Sequence, residues 1–373
     1  MHLSRLLPLG FAAYVSAQAL SAVLSTNSAT LSTLSSLLAT VPDLVQTLSG
    51  AQNITIFAPS NEAFSKLLAR NPRSAELMRN PRLLTGVLQY HVLVGRTPAS
   101  EFSTTPKFPT TMLTAPFANV TGGQKLEIAM VNNTAMVFSG YKQAAMVTVP
   151  DVAFDGGVIH VIDTVLTVPA TPGQTAINTG LTSLAGALTN AQLADGLDAL
   201  VDVTIFAPSN DAFEAIGSAV GTLDTQALAN ILAYHVVSGQ VRFSTDLLTA
   251  ANPLLVLTAQ GGNITVRREN GQLFVNSARV LIADILTTNG VVHIIDNVLN
   301  PSNTTATPNA AATTQAPAFS GVSSVVDSPF TAGIVPTTTF VPATVPLNKG
   351  AAAAVPTAAL LLAGGAAMLA AHF

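Results

Sequence analysis

The feature that most constrains this chain is an internal duplication of a long and specific segment. Residues 55–64 read Thr-Ile-Phe-Ala-Pro-Ser-Asn-Glu-Ala-Phe, and residues 204–213 repeat that segment with Asp in place of Glu. Copies that lie this far apart indicate a duplicated domain and not a solenoid unit. In a chain of 373 residues, the duplication predicts two tandem domains of one fold, which we place at residues 20–168 and 174–300.

Two later landmarks recur in the same order and support the duplication. They are Tyr90-His91-Val92, which returns as Tyr234-His235-Val236, and residues 157–163, which return as residues 290–296. The second of these landmarks keeps a Gly-Val-x-His-x-Ile-Asp pattern in both copies. We therefore expect the same succession of elements in both domains, with shorter loops in the second.

The landmarks also predict the type of each element. The first predicts a short apolar strand followed directly by a helix, which Ser60 or Asn61 can cap. Glu62 then falls in the first helical turn, where the helix dipole favours negative charge. Hairpins are indicated by alternation over residues 125–130 in the first copy and by Asn270-Gly271 in the second. Helices and strands mix without a regular βαβ rhythm, which predicts the α+β class.

Together these landmarks resemble those of fasciclin domains, over about residues 20–168 and 174–300. The resemblance implies a wedge of two small β-sheets with helices packed against them. It also implies an extracellular protein that acts in cell adhesion, through protein or carbohydrate partners. Anchored members with Ser/Thr/Pro-rich stalks resemble the plant and fungal branch, in which integrin partners are not expected. The identity of the partner therefore does not transfer.

The resemblance also singles out candidate partner-binding residues. In animal members, the Tyr-His region and an Asp-Ile pair near the last landmark are linked to integrin binding. The matching residues here are Tyr90, His91, Asp151, Tyr234, His235, Asp284 and Ile285. In the first copy Asp151 is followed by Val152 instead of Ile, which departs from the family pattern.

Catalytic and metal chemistry is not indicated by the sequence. The recurring histidines, His91, His160, His235 and His293, are far apart within each copy, and the chain has no Cys. Strand alternation favours buried, hydrogen-bonded histidines, with a binding role for the Tyr-His pair as the alternative. No Gly-x-Ser-x-Gly elbow, phosphate-binding loop or dinucleotide fingerprint occurs. We expect no metal, no cofactor and no enzymatic activity.

The composition argues against nucleic acid binding and for glycosylation. The net charge is −4 and Lys and Arg form no run, so the chain has no positively charged surface that would attract the phosphates of a nucleic acid. Charged residues are only 9%, where soluble domains usually have roughly a quarter. Attached glycans are one way to keep such a surface solvated. The N-glycosylation acceptors are Asn53, Asn119, Asn132, Asn263 and Asn303. Asn119, Asn132 and Asn303 have the more loop-like context.

Both ends of the chain carry targeting patterns. Residues 1–17 predict a signal peptide that is cut after Ala17. Residues 301–347, rich in Ser, Thr and Pro, predict an O-glycosylated stalk without regular structure that holds the folded part away from a membrane. An unmodified disordered linker is the alternative. Residues 348–373 predict a GPI-anchor signal with Asn348 as the attachment site and Gly350 as the second choice, or a retained tail-anchor helix.

These patterns combine into one functional prediction. The chain is expected to be a non-catalytic adhesion or interaction glycoprotein at the cell surface or in the cell wall. Its partners would be surface proteins or glycans, and it would contact the membrane through its lipid anchor. Two alternatives stay open. One is a small-ligand-binding surface protein with a pocket between sheets and helices. The other is the same module on the lumenal side of a vacuolar membrane.

Overall fold

The computed structural model describes residues 18–71, 74–336 and 338–344, apart from the side chain of Leu77. The predicted signal peptide and anchor signal, with Asn348 and Gly350, lie outside these residues. Within them, no helix has both the length and the apolar character needed to cross a bilayer.

The first domain begins with three helices and closes with an antiparallel meander. Its helices are α1 Leu20–Thr26, α2 Ser28–Leu38, α3 Pro42–Gly50, α4 Asn61–Arg70, α5 Ser74–Arg79 and α6 Pro81–Tyr90. Its strands are β1 Ile54–Pro59, β2 Val92–Val94, β3 Glu127–Val131, β4 Thr134–Phe138, β5 Ala144–Phe154 and β6 Gly157–Ile162.

The second domain repeats this order of elements and adds one helix, α13, and one strand, β9, before its meander. Its helices are α7 Pro172–Asn178, α8 Thr182–Asn190, α9 Ala194–Ala199, α10 Asn210–Ala215, α11 Gly217–Val220, α12 Thr225–Tyr234 and α13 Ser244–Thr249. Its strands are β7 Val203–Pro208, β8 Val236–Ser238, β9 Leu254–Leu257, β10 Asn263–Glu269, β11 Gln272–Val275, β12 Ala278–Thr287 and β13 Gly290–Ile295. The predicted α+β class and the duplication are confirmed, as is the hairpin at Asn270-Gly271, which joins β10 to β11.

In each domain a long strand, β5 or β12, joins two small groups of strands into one mostly antiparallel sheet. The strand orders are β2-β1-β6-β5-β4-β3 and β8-β7-β13-β12-β11-β10-β9. In each sheet only the two landmark strands run parallel, β1 beside β6 and β7 beside β13. This pairing places Phe57 opposite His160 and Phe206 opposite His293. The repeated sequence motifs are therefore the paired central strands of each sheet.

The Pro-Ser-Asn segment at the end of β1, and its repeat at the end of β7, makes two separate kinds of hydrogen bond. Ser60 accepts the backbone N–H of Ala63 at 3.1 Å and caps α4, as predicted. Asn61 does not cap the helix, because its Oδ1 accepts the backbone N–H of Thr33 in α2 at 2.9 Å. The second domain does the same with Ser209 and Asn210. The motif therefore starts one helix and fastens it to another.

The glycine that opens each closing strand is required by close backbone approach. A Cβ on Gly290 would lie 1.9 Å from the carbonyl oxygen of Val203, and one on Gly157 would lie 1.8 Å from that of Ile54. These contacts are with the paired strand itself, so no flexible side chain can move aside. The parallel pairing therefore depends on the absence of a side chain at this position.

We expect Gly290→Ala to lower the free energy of unfolding by about 3 kcal/mol or more, because β13 would have to move away from β7. Urea unfolding measures the effect. Gly221→Ala is the matched control, since a Cβ there meets nothing within 4 Å, and it should change stability by no more than about 0.5 kcal/mol. Equal effects of the two substitutions would contradict the close-approach argument.

Residues 313–343, which we call the strap, differ from the stalk that the composition predicts. The described part of the strap contains no helix or strand, as expected. It does not extend away from the domains, however, because it packs along the second domain and reaches the first. Phe330 lies against Phe213 with ring centroids 6.1 Å apart, and Phe340 stacks on Tyr141 at 4.4 Å. The backbone N–H of Ala343 donates to Lys142 O at 3.1 Å.

The strap fits gaps that glycines leave in the second domain. A Cβ on Gly186, in α8, would lie 1.7 Å from the carbonyl oxygen of Phe330, and one on Gly217 would lie 2.1 Å from the Val325 side chain. Backbone hydrogen bonds join Val325 to Glu214 and Ser218 to Ser323. The expectation of a free spacer is therefore wrong for these residues, since docking onto complementary gaps stabilises a segment that cannot form regular structure.

We expect Gly186→Ala to release the strap around Phe330, because the new methyl group would occupy the position of the Phe330 carbonyl. Chymotrypsin should then cut the full-length protein after Phe330 at least about tenfold faster, because local opening exposes that bond. Gly196→Ala in α9 is the control, because a Cβ there meets nothing within 4 Å. Unchanged cleavage of the Gly186 variant would show that the strap is not held there.

Candidate functional site: the repeated tyrosines, histidines and aspartates

His91 connects the end of α6 to the chain that follows β6. Its Nδ1 donates to the carbonyl oxygen of Val87 at 2.7 Å, and its Nε2 accepts the backbone N–H of Leu166 at 2.9 Å. Since a backbone N–H can only donate, Nε2 carries no proton and the ring is the neutral Nδ1–H tautomer. His91 thus fills both of its hydrogen-bonding positions with main-chain groups.

His235 repeats this arrangement with Ile231 and Leu299, at 2.8 Å each. Burial lowers the pKa of both imidazoles to about 4, because the charged form would lose its hydration. The adjoining cavities hold only about 20 Å³ each, which is room for about one water. The Tyr-His pair is therefore a structural fastening in both domains.

The neighbouring tyrosines are also satisfied inside the protein. Tyr90 and Tyr234 are 0% exposed. The Tyr90 hydroxyl donates to the carbonyl oxygen of Lys125 at 3.2 Å, and the Tyr234 hydroxyl donates to that of Asn263 at 2.7 Å. Burial raises the pKa of each phenol above its ordinary value. Neither phenol faces solvent.

The closing-strand histidines use the opposite tautomer. His160 Nε2 donates to Thr97 O at 2.8 Å, while Nδ1 accepts the backbone N–H of Asp151 at 3.2 Å. In the second domain, His293 bonds Arg242 O at 2.9 Å and the Asp284 N–H at 3.3 Å. Burial lowers the pKa of both rings. The prediction of buried, hydrogen-bonded histidines is confirmed.

The two aspartates that these histidines contact are structural equivalents. Asp151 and Asp284 both have left-handed backbones, with φ of 58° and 64°, at bulges in β5 and β12. Asp151 accepts the N–H of Ala99 at 2.9 Å, and Asp284 accepts that of Ser244 at 2.7 Å. Asp151-Val152 and Asp284-Ile285 therefore have the same backbone geometry, although the second residue of each pair differs.

These positions correct the predicted partner-binding set. Asp151 is the one member that is exposed. The others are buried, with exposed fractions of 0% for Tyr90, Tyr234 and Ile285, and 2% for His91, His235 and Asp284. Their polar atoms are occupied by main-chain and neighbouring groups, so a partner cannot reach them without unfolding the domain. The sequence landmarks mark the interior of the fold and not a contact surface.

A buried ion pair at the junction of the domains was not predicted from the sequence. Lys142 Nζ lies 2.7 Å from Glu127 Oε2, with side chains 3% and 0% exposed. Tyr141 and Lys142 form a tight turn with left-handed φ values of 56° and 54°. Burial raises the pKa of Glu127 to about 7, although Lys142 acts to lower it. Glu127 belongs to the alternating stretch of β3, where a carboxylate ordinarily indicates a solvent-facing position.

The second domain covers this ion pair and supplies further contacts. Strand β12 packs on the turn at residues 140–142. The Asn178 amide donates to the Tyr141 hydroxyl at 3.0 Å, and Gln124 donates to Thr287 O at 2.9 Å. Phe108 stacks on Phe243 with centroids 3.9 Å apart. The two domains are thus joined by a mixed polar and aromatic interface.

The glycosylation acceptors occupy different environments. Asn53, Asn119, Asn132 and Asn263 are exposed, and Asn303 is half-buried. The Asn119 amide nitrogen donates to Leu200 O at 2.9 Å across the domain junction, and that of Asn303 donates to Ala318 O at 3.1 Å. A glycan replaces one of the two hydrogens on this nitrogen, so glycosylated Asn119 or Asn303 would keep one N–H for its hydrogen bond. Occupancy of all five stays a prediction.

No three His, Asp or Glu side chains cluster closely enough to hold a metal ion within the parts of the chain that the structure describes. Comparison with known proteins gives a positive assignment instead. The fasciclin domain model matches residues 29–169 and again residues 179–301.

The chain belongs to the fasciclin family. A fasciclin-like arabinogalactan protein of Arthroderma benhamiae is 34% identical over 79% of this fasciclin chain and 70% of its own length. The fasciclin-like arabinogalactan protein elcF of Phaeosphaeria nodorum is 32% identical over 79% of the chain and 92% of its own length. Human periostin is 27% identical over 67% of the chain and 28% of its own length.

A solved FAS1 domain pair from the insect cell adhesion molecule Fasciclin I is also similar. It covers 71% of this fasciclin chain and 94% of its own length, at 19% identity and a TM-score of 0.34. The two tandem fasciclin domains rest on the two matches to the domain model and on the curated relatives.

Proposed function

We propose that this fasciclin chain is a non-catalytic surface glycoprotein that mediates adhesion through the outer faces of its two joined domains. The observation that supports it most is the use of the repeated polar residues. His91, His160, His235 and His293 fill their ring nitrogens with main-chain partners, which leaves them no free atom for acid–base work. Recognition then belongs to the exposed surface, and its partners are surface proteins or glycans.

The proposed location follows from the two ends of the chain. A secretion signal at residues 1–17, an anchor signal at residues 348–373 and five acceptor asparagines suit a protein that travels through the secretory pathway. The fungal relatives carry arabinogalactan in their names, which agrees with heavy glycosylation here. The lumenal side of a vacuolar membrane is the alternative location.

Adhesion of cells that carry the gene tests the proposal. Deletion of the gene should weaken attachment of the cells to one another or to a glycan-coated surface, and re-expression of the full chain should restore it. Re-expression with all five acceptor asparagines changed to Gln separates the glycan contribution from that of the protein surface. Normal attachment of the deletion cells would overturn the proposal.

Treatment with a phosphatidylinositol-specific phospholipase separates the two locations. We expect the enzyme to release the protein from intact cells if a GPI lipid holds it at the outer face. Protein that becomes accessible only after the cells are opened would place it on an internal membrane. Protein that stays with the membrane in both cases would indicate a retained helix.

A further inference from the structure

The first domain contains a cavity beside the Tyr-His pair, and its lining includes Val87 and Leu166, whose main-chain groups bond His91. It lies between α4, α6 and residues 164–168, and holds about 270 Å³. Leu67, Val87 and Val165 contribute to its apolar wall, together with the strap residue Phe340. Small-molecule pockets usually hold roughly 300–1,000 Å³, so this cavity suits a small ligand. Its walls would bury an apolar body.

In the second domain, the strap fills the groove that corresponds to this cavity. There the strap lies along residues 297–300, which correspond to residues 164–167. Asn297 donates to Ala316 O at 2.6 Å, and Asn300 donates to Ala318 O at 3.1 Å. The next strap residue, Phe319, packs on the helical core of that domain. The same groove is therefore filled by the chain itself in one copy and left open in the other.

The open copy also differs in charge. Lys66 and Arg70 line the cavity, and their i, i+4 spacing places both cations on one face of α4. Lys66 stands where the second domain has Ala215, two residues after the end of the repeated segment. Lys66 also pairs with Glu62 at 3.1 Å, but both side chains are exposed, at 47% and 77%. Such a pair is weak, so Lys66 can turn to another anion.

We propose that this cavity of the first domain binds an amphipathic monocarboxylate of medium chain length. The apolar chain lies against Leu67, Val87, Val165 and Phe340, and the carboxylate is held at the mouth by Lys66 and Arg70. The ligand takes the place that the strap takes in the second domain. The site is independent of adhesion, because it lies in a groove and not on an outer face.

Direct binding of decanoate to the full-length protein tests the site. Isothermal titration calorimetry measures this binding on the natural chain and leaves every residue of the cavity wall in place. Decanoate should bind and saturate at one molecule per chain. Decanol and decyltrimethylammonium are the matched ligands with a neutral and a positive head group, and both should bind at least about tenfold more weakly.

Removal of the cations separates head-group recognition from simple partitioning into an apolar cavity. Lys66→Gln with Arg70→Gln, made in the otherwise natural chain, should weaken decanoate binding about tenfold and leave decanol binding unchanged. Arg96→Gln is the control, because Arg96 is an exposed cation outside the cavity lining. The proposal is overturned if decanoate does not bind, if it binds no better than decyltrimethylammonium, or if the double variant binds it as tightly as the parent.

Discussion

Lys142→Met is expected to lower the free energy of unfolding by about 3 kcal/mol or more at pH 8, because it leaves Glu127 buried without its counter-charge. The loss should be smaller at pH 5. Burial already raises the pKa of Glu127 to about 7 with Lys142 present, so the variant's carboxyl is neutral in the fold at pH 5. Urea unfolding of the full-length protein at both pH values measures the difference.

Two further variants make this prediction specific. Glu127→Gln combined with Lys142→Met removes both charges and should recover most of the stability, since the remaining buried groups are neutral. Lys107→Met is the surface control, because its pair with Glu101 is 4.0 Å long and about half exposed, and it should cost less than about 1 kcal/mol. A double variant as unstable as Lys142→Met alone would show that packing, and not charge, dominates.

Acid should destabilise the protein through the buried imidazoles. The pKa values of His91 and His235 are lowered from 6.5 to about 4. Between these two pH values the imidazoles are therefore protonated in the unfolded chain and neutral in the folded chain. The stability that each neutral ring provides is complete above pH 6.5 and is lost as the pH falls through about 4. Each ring contributes up to about 3 kcal/mol to this loss. Unfolding free energies measured at pH 4.5, 5.5 and 6.5 follow it.

Between pH 4.5 and about 7, titration of Glu127 changes the stability in the opposite direction. Its pKa is raised from 4.5 to about 7, so the folded carboxyl keeps a proton that the unfolded chain releases, and its contribution falls as the pH rises. The Glu127→Gln, Lys142→Met protein should therefore gain stability more steeply between pH 4.5 and 6.5 than the natural chain. His235→Asn should show a shallower rise. Equal stability of the natural chain at pH 4.5 and 6.5 would contradict the assignment.

The sequence predicted the architecture well because the repeated segments contain helix caps and turns that depend only on neighbouring residues. Ser60 caps a helix and Asn270-Gly271 turns a hairpin, and both depend on residues a few positions away. The histidines were singled out correctly, but their partners are distant. His91 meets Leu166, 75 positions along the chain, and no periodicity shows which backbone group a ring will reach.

The contacts between elements were the part that the sequence did not predict. Glu127 occupies a position of β3 where alternation favours solvent, and it is buried because the second domain docks there. The strap has the composition of a disordered linker, and composition does not show that Gly186 and Gly217 leave gaps for the Phe330 carbonyl group and the Val325 side chain. Both cases depend on shape complementarity between surfaces that are remote in sequence.

The course of the strap determines how the domain pair would sit on a membrane. The described chain ends at residue 344, next to the hydrogen bond between Ala343 and Lys142 at the junction of the two domains. Under the proposed lipid attachment at Asn348, the membrane anchor would follow the junction after only a few residues. The strap would then not act as a long spacer between the lipid and the two domains.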